Sequence, residues 1–176
     1  FEEMSVKSQV EAIHGDFYLY AKRIDSAQKY FQLSLIHSKI TANAYNQMRA
    51  YYKLANLNLV LSEYEISRDY CDSAMSAAFY IDSTGSFYFH DSLKHCIGMS
   101  EDIFFPLSKS HRRFYAWEIL NSCYKVLWDS YVNTNELNKA VKIQSPWMAI
   151  RDSISLYKRN KDILEVNISY ETEKKE

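Results

Sequence analysis

Residues 15–34 read GDFYLYAKRIDSAQKYFQLS, and the spacing of small and large side chains in this stretch decides the predicted fold. The small residue Gly15 is followed by an aromatic residue, Tyr18, and then by a second small residue, Ala27. The large residue Phe31 and the small residue Ser34 complete the pattern. The order suits two antiparallel helices, because small residues let the helix axes approach closely and aromatic rings fill the wedge between successive hairpins.

The same order of residues returns twice further along the chain. The second copy starts at Ala55, 40 residues after Gly15, and continues with Asn58, Ser67, Cys71 and Ala74. The third starts at Trp128 and continues with Tyr131, Ala140, Gln144 and Trp147. The second copy is looser than the first. The third keeps only Tyr131, Ala140 and the preceding Leu127 of the pattern, and a tryptophan stands at 128 where a small residue is usual. A recurring pattern indicates a repeat architecture, and an ordinary helical bundle with chance matches is the alternative.

The repeated pattern resembles the tetratricopeptide repeat. This resemblance implies an all-α fold, a right-handed α-solenoid of antiparallel helix hairpins with about three to four repeats and a long C-terminal exit helix. The composition favours helices as well, because three Gly and two Pro in 176 residues leave few turn-forming residues for a many-stranded β fold.

Hydrophobic periodicity and turn residues predict helices at 5–21, 25–38, 41–61, 63–81 and 110–132. Asn135 is predicted to be the N-cap of the next helix, and Pro146 to kink or break it. Residues 82–109, with a short helix near 87–97, are expected to form an irregular or degenerate repeat. The chain is therefore divided into a repeat domain, 1–149, and a C-terminal capping or exit helix, 150–176.

The exit helix carries its own apolar stripe. Large apolar residues recur with alternating four and three spacing around one polar position, Lys161; they are Ile150, Ile154, Tyr157, Leu164 and Ile168. This short heptad-like stripe predicts either a capping helix or the start of a coiled coil that would pair two copies of the chain.

The C-terminal third contains four further runs of note: VLWDSY at 126–131, NELNKA at 135–140, IRDSI at 150–154 and SYETEKKE at 169–176. Together these runs are similar to the membrane-proximal end of tetratricopeptide sensor regions in Bacteroidetes regulators. Such regions lead through a transmembrane helix or coiled coil to a histidine kinase or a helix-turn-helix output domain. The resemblance implies an input module of a membrane-linked regulator, on the periplasmic face of the inner membrane or in the cytoplasm.

Charge and hydropathy exclude two classes of partner for this part of the protein. The 21 Lys and Arg nearly balance the 22 Asp and Glu and are interspersed with them, which is not the basic footprint of a nucleic-acid binder. No apolar run approaches the roughly 18 residues of a membrane-spanning helix. We therefore expect no nucleic-acid binding and no membrane insertion by these residues.

Reactive side chains do not form a recognisable catalytic or metal motif. His90 and His95 are five residues apart, so they would diverge on a helix, and the cysteines at 71, 96 and 123 form no closely spaced pair. A nucleophile pair of His111 with Cys96 or Cys123 has no local support. Glycine-rich phosphate loops are absent from the sequence. We expect a non-catalytic protein without cofactor or metal.

The predicted function is recognition of a protein or peptide along the first helix of each hairpin, which lines the concave face of such stacks. Besides Ala12, the residues projected onto this face are Gln9, Asp16, Arg49, Tyr52, Asn56, Ser122, Lys125 and Asp129. The alternative is a dimerising structural spacer that passes association through the C-terminal helix.

Overall fold

The structure, a computed structural model, describes residues 2–84 and 109–174. Every regular element in these two segments is an α-helix: α1 is Glu2–Tyr20, α2 Ile24–Ile40, α3 Ala44–Val60, α4 Tyr64–Thr84, α5 Lys109–Asn133 and α6 Leu137–Glu173. The all-α prediction is confirmed, and the first five predicted helices agree with the observed bounds to within three residues. The short helix expected near 87–97, and most of the irregular repeat expected at 82–109, lie outside the described residues.

The four described turns between helices share one backbone geometry. Lys22, Ala42, Ser62 and Asn135 are left-handed, with φ of 57°, 51°, 62° and 58°. In each turn the left-handed residue donates its N–H three residues back, and the next residue donates five residues back, as from Asn43 to Ser38 at 3.0 Å. These are the two hydrogen bonds of a Schellman motif, which satisfies the last carbonyls of a helix. Identical three-residue links therefore separate the helices.

The turn before α6 corrects one prediction. Asn135 is not an N-cap, because it occupies the left-handed position that ends α5. The helix begins at Leu137, and the carbonyl of Glu136 accepts the hydrogen bond from Ala140 at 3.2 Å. Asparagine is favoured at N-caps and also tolerates left-handed backbone, so its identity alone did not separate the two roles.

Helices α1 and α2 approach closely at Gly15. A Cβ atom placed there would lie 2.3 Å from Cε1 of Phe31, whose ring is fully buried. About two helical turns before Gly15, the Ser8 hydroxyl donates to the Ser34 carbonyl at 2.9 Å, and the Ser34 hydroxyl donates to the Ser8 carbonyl at 2.8 Å. The small residue Gly15 thus lies at the crossing of the first hairpin, as predicted, and the ring packed against it is that of Phe31.

The other hairpins use the same positions with different side chains. In α3 and α4, Ala55 and Cys71 are both fully buried, and the Ser67 hydroxyl donates to the Ala55 carbonyl at 2.8 Å. In α5 and α6, Trp128 takes the place of the small residue and contacts Trp147, with ring centroids 6.1 Å apart. A tryptophan fits there because Gln144, at the position of Phe31, points outward and is exposed.

The three hairpins pack against one another in chain order. Phe31 and Leu35 of α2 share a core cluster with Leu54 and Leu57 of α3. A second cluster joins α4 to α5 through Cys71 and Cys123, among others. Among the first helices of the hairpins, α3 contacts both α1 and α5. Hence α5 packs directly on α3 and α4, although residues 85–108 separate it from them in sequence.

Helix α6 is continuous from Leu137 to Glu173 and passes through Pro146. The break that proline permits does not occur, because Ile143 before it and Trp147 and Ile150 after it pack on the same core cluster. Proline has no N–H, so the carbonyl of Lys142 loses its hydrogen-bond donor within the helix. Pro146 is exposed, and this carbonyl is therefore on the side open to water. The division of the chain at residue 150 consequently falls inside a helix.

The heptad-like stripe of α6 has two environments. Near its start it packs inward on α5, where the rings of Tyr157 and Phe114 stack with centroids 4.5 Å apart. Leu164, further along, is exposed. The stripe therefore serves first as the inner face of the last hairpin, and its later positions extend beyond α5.

A candidate partner-binding face

The side of α1, α3 and α5 that carries the predicted partner-binding residues is called here the first-helix face. Its residues recur at equivalent positions of the hairpins, so they lie on the same side of three neighbouring parallel helices. Lys125 is exposed and the others are half-buried: Gln9, Asp16, Arg49, Tyr52, Asn56, Ser122 and Asp129. Ala12, which was projected onto the same row, is only 2% exposed. Its inclusion was wrong, because the packing of α1 covers so small a side chain.

Lys53 connects α3 to α1 on this face. Its Nζ lies 2.7 Å from Oδ1 of Asp16 and 5.8 Å from the centre of the Tyr52 ring. Sequence reasoning missed Lys53 because it lies one position beside the projected row. A long side chain can reach across to the row from there, and its placement next to Tyr52 was the available signal.

Tyr52 is the residue at which the three first helices meet. Its side chain packs against the core cluster of α4 and α5, the Ser122 side chain hydrogen-bonds to it, and the Asp16 carboxylate lies near enough to act on it electrostatically. Burial raises the pKa of Tyr52 above its ordinary value, an effect that the Ser122 hydrogen bond opposes. Tyr52 is therefore a neutral, well-anchored phenol in the middle of the face.

A second group surrounds Arg49. Tyr45 lies next to Tyr115, with ring centroids 6.4 Å apart, and both Arg49 and Glu118 act electrostatically on Tyr45. Burial raises the pKa of Tyr45, and the nearby Arg49 guanidinium partly offsets this. Sequence reasoning missed the two tyrosines and Glu118, because the spacing rule that marks the helix crossing does not include their positions.

The first-helix face carries charges of both signs together with aromatic side chains. Asp16, Asp129 and Glu118 supply negative charge, and Arg49, Lys53 and Lys125 supply positive charge. Tyr45, Tyr52 and Tyr115 add aromatic area between them. Such a surface offers donors, acceptors and ring faces without a strong net field, which suits a polar polypeptide better than a polyanion.

Two observations in the described residues concern metal-ligating and nucleophilic side chains. No group of three or more His, Cys, Asp or Glu in 2–84 and 109–174 could hold a metal ion, and the segment from His90 to Cys96 lies outside these residues. A hydrogen bond with Cys71, together with burial, raises the pKa of Cys123 well above its ordinary value. Cys123 is thus a buried thiol, and the thiolate needed for nucleophilic attack is disfavoured.

Comparison with known proteins identifies no family for this chain. No protein-family model matches this chain, and neither a curated protein nor a solved structure is significantly similar to it. Within the described part of the chain, none of the helices combines the length and the apolar character that crossing a membrane requires.

Proposed function

We propose that this chain is a non-catalytic protein- or peptide-binding module of tetratricopeptide type, a right-handed α-solenoid that serves as the sensory or scaffold region of a bacterial regulatory protein. The repeated hairpins, their identical turns and the side-by-side first helices support this proposal. The regulatory context rests on the resemblance of the C-terminal runs to the membrane-proximal part of such regulators.

The observation that carries the binding function is the junction at Tyr52. Tyrosine and arginine dominate the energetics of many protein interfaces, and here Tyr52 and Arg49 lie on adjacent turns of the central first helix. Tyr52 is held in place by its packing and by Ser122, so little side-chain entropy would be lost on binding. A segment lying across α1, α3 and α5 would contact both residues.

The ligand that fits is an extended or helical peptide with polar and aromatic side chains. Its carboxylate or carbonyl groups would accept hydrogen bonds from Arg49 and Lys125. Donors on the peptide would meet Asp16 or Asp129. Because Lys53 is already paired with Asp16 at 2.7 Å, a strongly acidic or strongly basic peptide would gain less than one with both charges.

The test is selection of binders from a random 12-residue peptide library against the whole chain, followed by measurement of Kd for the selected peptides. Arg49→Ala and Tyr52→Phe should each weaken binding about tenfold, the loss of roughly 1.4 kcal/mol of contact energy. Tyr52→Phe keeps the ring in the core and removes only the hydroxyl. Lys29→Ala, an exposed cation on α2, is the matched control and should leave Kd unchanged.

Two results would contradict the proposal. One is a set of peptides whose affinity is the same for Arg49→Ala, Tyr52→Phe and the unmodified chain. The other is loss of binding in the control Lys29→Ala, which would place the contact on the second helices. Helical circular dichroism of each variant shows that the fold is retained.

A dimerising spacer is the second candidate, and one observation favours it. The last turns of α6 extend beyond α5 and expose Ile163, Leu164, Val166 and Tyr170. Sedimentation of the chain with and without the residues after Lys161 tests this function while the packed part of α6 is kept. A dimer that is lost on truncation supports the spacer, and a monomer in both cases excludes it.

A further inference from the structure

Two cysteines, Cys71 of α4 and Cys123 of α5, meet in the core between the second and third hairpins. Both are free thiols, both are fully buried, and both belong to the same core cluster. The Cys71 thiol donates to the Cys123 carbonyl at 3.7 Å, and the two thiols also hydrogen-bond to each other. Folding therefore brings together two thiols that are 52 residues apart in sequence.

The two cysteines face each other because α4 and α5 are antiparallel and in register. Seven residues before the first cysteine and seven after the second, the Tyr64 carbonyl accepts a hydrogen bond from the Ser130 hydroxyl at 3.2 Å. Seven residues in the other direction on each helix, Ala78 and Ala116 are buried in one core cluster. Seven residues make about two helical turns, so the cysteine pair is the middle one of three matched pairs along a single seam. A disulfide joins only cysteines whose side chains point at each other, and this position provides that arrangement.

The interface between the first and second hairpins fills the same place without thiols. Alignment of the left-handed turn residues that follow α1, α3 and α5 places Phe31 of α2 where α4 has Cys71. It places Ala50 of α3 where α5 has Cys123. Phe31 and Ala50 are both fully buried in one core cluster. A large and a small hydrophobic side chain are therefore enough to fill this place, and packing alone does not require two thiols in the second interface.

We propose that Cys71 and Cys123 are a redox modification site, at which a small-molecule disulfide such as glutathione disulfide oxidises the pair to a disulfide that ties α4 to α5. One cysteine thiolate attacks the small disulfide and displaces one thiolate, which takes up a proton. The other cysteine then attacks the mixed disulfide and displaces the second thiolate, which completes the protein disulfide. Two electrons and two protons thus pass from the cysteine pair to the oxidant, which leaves as two thiols.

Burial determines when this exchange takes place. Hydrogen bonding to Cys71 and burial both raise the pKa of Cys123, so attack from within the closed interface is slow. The reaction therefore proceeds while α5 docks on α4 or separates from it, and docking holds the two cysteines against each other. The link closes the long loop from 71 to 123, which removes many conformations from the unfolded chain and stabilises the packed hairpins.

The cysteine pair lies close to the middle of the first-helix face. Tyr52 packs against the core cluster that contains both cysteines, and both thiols act electrostatically on its phenol. The disulfide would therefore join the second and third hairpins next to Tyr52. Formation of the link does not depend on what this face binds, so its test is independent of the proposed peptide binding.

The experiment follows disulfide formation in the whole unmodified chain. Reduced chain, unfolded in urea, is refolded by removal of the urea in a buffer with equal concentrations of reduced and oxidised glutathione. After acid quenching, peptide mapping by mass spectrometry identifies the links. Trypsin places Cys71, Cys96 and Cys123 in separate peptides, 69–94, 95–109 and 114–125. The link between peptides 69–94 and 114–125 should account for most of the disulfide.

The matched control is the same chain kept in concentrated urea in the same buffer. Cys96 lies between the other two cysteines in sequence, so its links close the shorter loops, which form more readily in an unfolded chain. Links to Cys96 should therefore prevail in urea and give way to the link between Cys71 and Cys123 on refolding. The same distribution of links in both samples would overturn the proposal. Free thiols or glutathione adducts at Cys71 and Cys123 after refolding would overturn it as well.

Urea denaturation of the Cys96→Ser chain shows whether the link fits the folded interface. The oxidised form should unfold at a higher urea concentration than the same protein after treatment with a reductant. The further substitution Cys123→Ala should abolish this difference. An oxidised form that unfolds at the same or a lower urea concentration would mean that the link strains the interface of α4 and α5, which contradicts the proposal.

Discussion

The close approach of α1 and α2 makes Gly15→Ala the most informative single substitution for the fold. A Cβ atom at position 15 would lie 2.3 Å from Cε1 and 2.4 Å from Cδ1 of Phe31. Ordinary carbon contacts are about 3.5–4.0 Å, so the ring or the helix must move by more than about 1 Å. Because Phe31 is fully buried, its ring has no open space to move into.

The expected magnitude follows from two opposing effects. Alanine in place of glycine inside a helix stabilises by roughly 0.5–1 kcal/mol. Forcing an extra methyl group into a packed core costs about 1–3 kcal/mol, and the short distances favour the upper part of that range. Gly15→Ala should therefore lower the free energy of unfolding by about 1–2 kcal/mol.

Urea denaturation followed by circular dichroism measures this change, and a double variant isolates its cause. With Phe31→Leu present, Gly15→Ala should be neutral or stabilising, because the clashing ring atoms are gone. Ala149→Gly, at an exposed site within α6, calibrates the bare glycine penalty in this protein. If Gly15→Ala alone instead raised the free energy of unfolding by the roughly 0.5–1 kcal/mol that alanine normally gains over glycine in a helix, that result would refute the close crossing of α1 and α2.

Three further predictions concern the turns and the polar contacts. Ala42→Gly should stabilise the chain by roughly 0.5–1 kcal/mol, since alanine is strained in the left-handed conformation, whereas Asn135→Gly should change little; equal effects in thermal denaturation would contradict this. Glu136 has its pKa lowered from 4.5 to about 2, first by Lys139 and then by Arg68. The stability that this carboxylate supplies is present above pH 4.5 and is lost as the pH falls towards 2, so the difference in stability between the unmodified chain and Glu136→Gln should shrink over that range, and a constant difference would exclude the ion pairs as its source. Ser34→Ala should cost about 1 kcal/mol, because the Ser34 hydroxyl bonds across the hairpin. Ser73 is half-buried and bonds only within its own helix, so Ser73→Ala should cost much less in urea denaturation.

The sequence predicted the helices well because their limits follow from local chemistry. The stripe that includes Leu54 and Ala55 and the small residues Gly15 and Ala27 mark the buried sides of their helices. The spacing between such residues therefore predicts which sides of the two helices of a hairpin face each other. Gly15 is an example, since it was predicted to lie at the helix crossing and is packed there against the ring of Phe31.

The failures have a different origin, in packing that local sequence does not encode. Proline at 146 is compatible with a continuous helix because residues on both sides share one core cluster. The apolar stripe of α6 was predicted to form either a capping helix or the start of a coiled coil, and part of it packs on α5, where Tyr157 stacks on Phe114. Which of two apolar sides of a helix faces inward depends on the neighbouring hairpin, and periodicity alone does not identify that neighbour.

The candidate site was partly accessible to sequence reasoning. Projecting equivalent positions placed Asp16, Tyr52 and Ser122 on one face, and the structure brings these three together. Lys53 and Tyr115 were missed, since they reach the face by side-chain length and by contact with a neighbour. Predicting such residues requires knowledge of how α1, α3 and α5 are placed relative to one another.

The central claim is that the first-helix face binds a polypeptide, and NMR mapping of a selected peptide on the isotope-labelled chain tests it most directly. The account predicts that the largest shift changes fall on α1, α3 and α5, with Arg49, Tyr52 and Ser122 among them. Changes confined to α2, α4 and the outer side of α6 would contradict it.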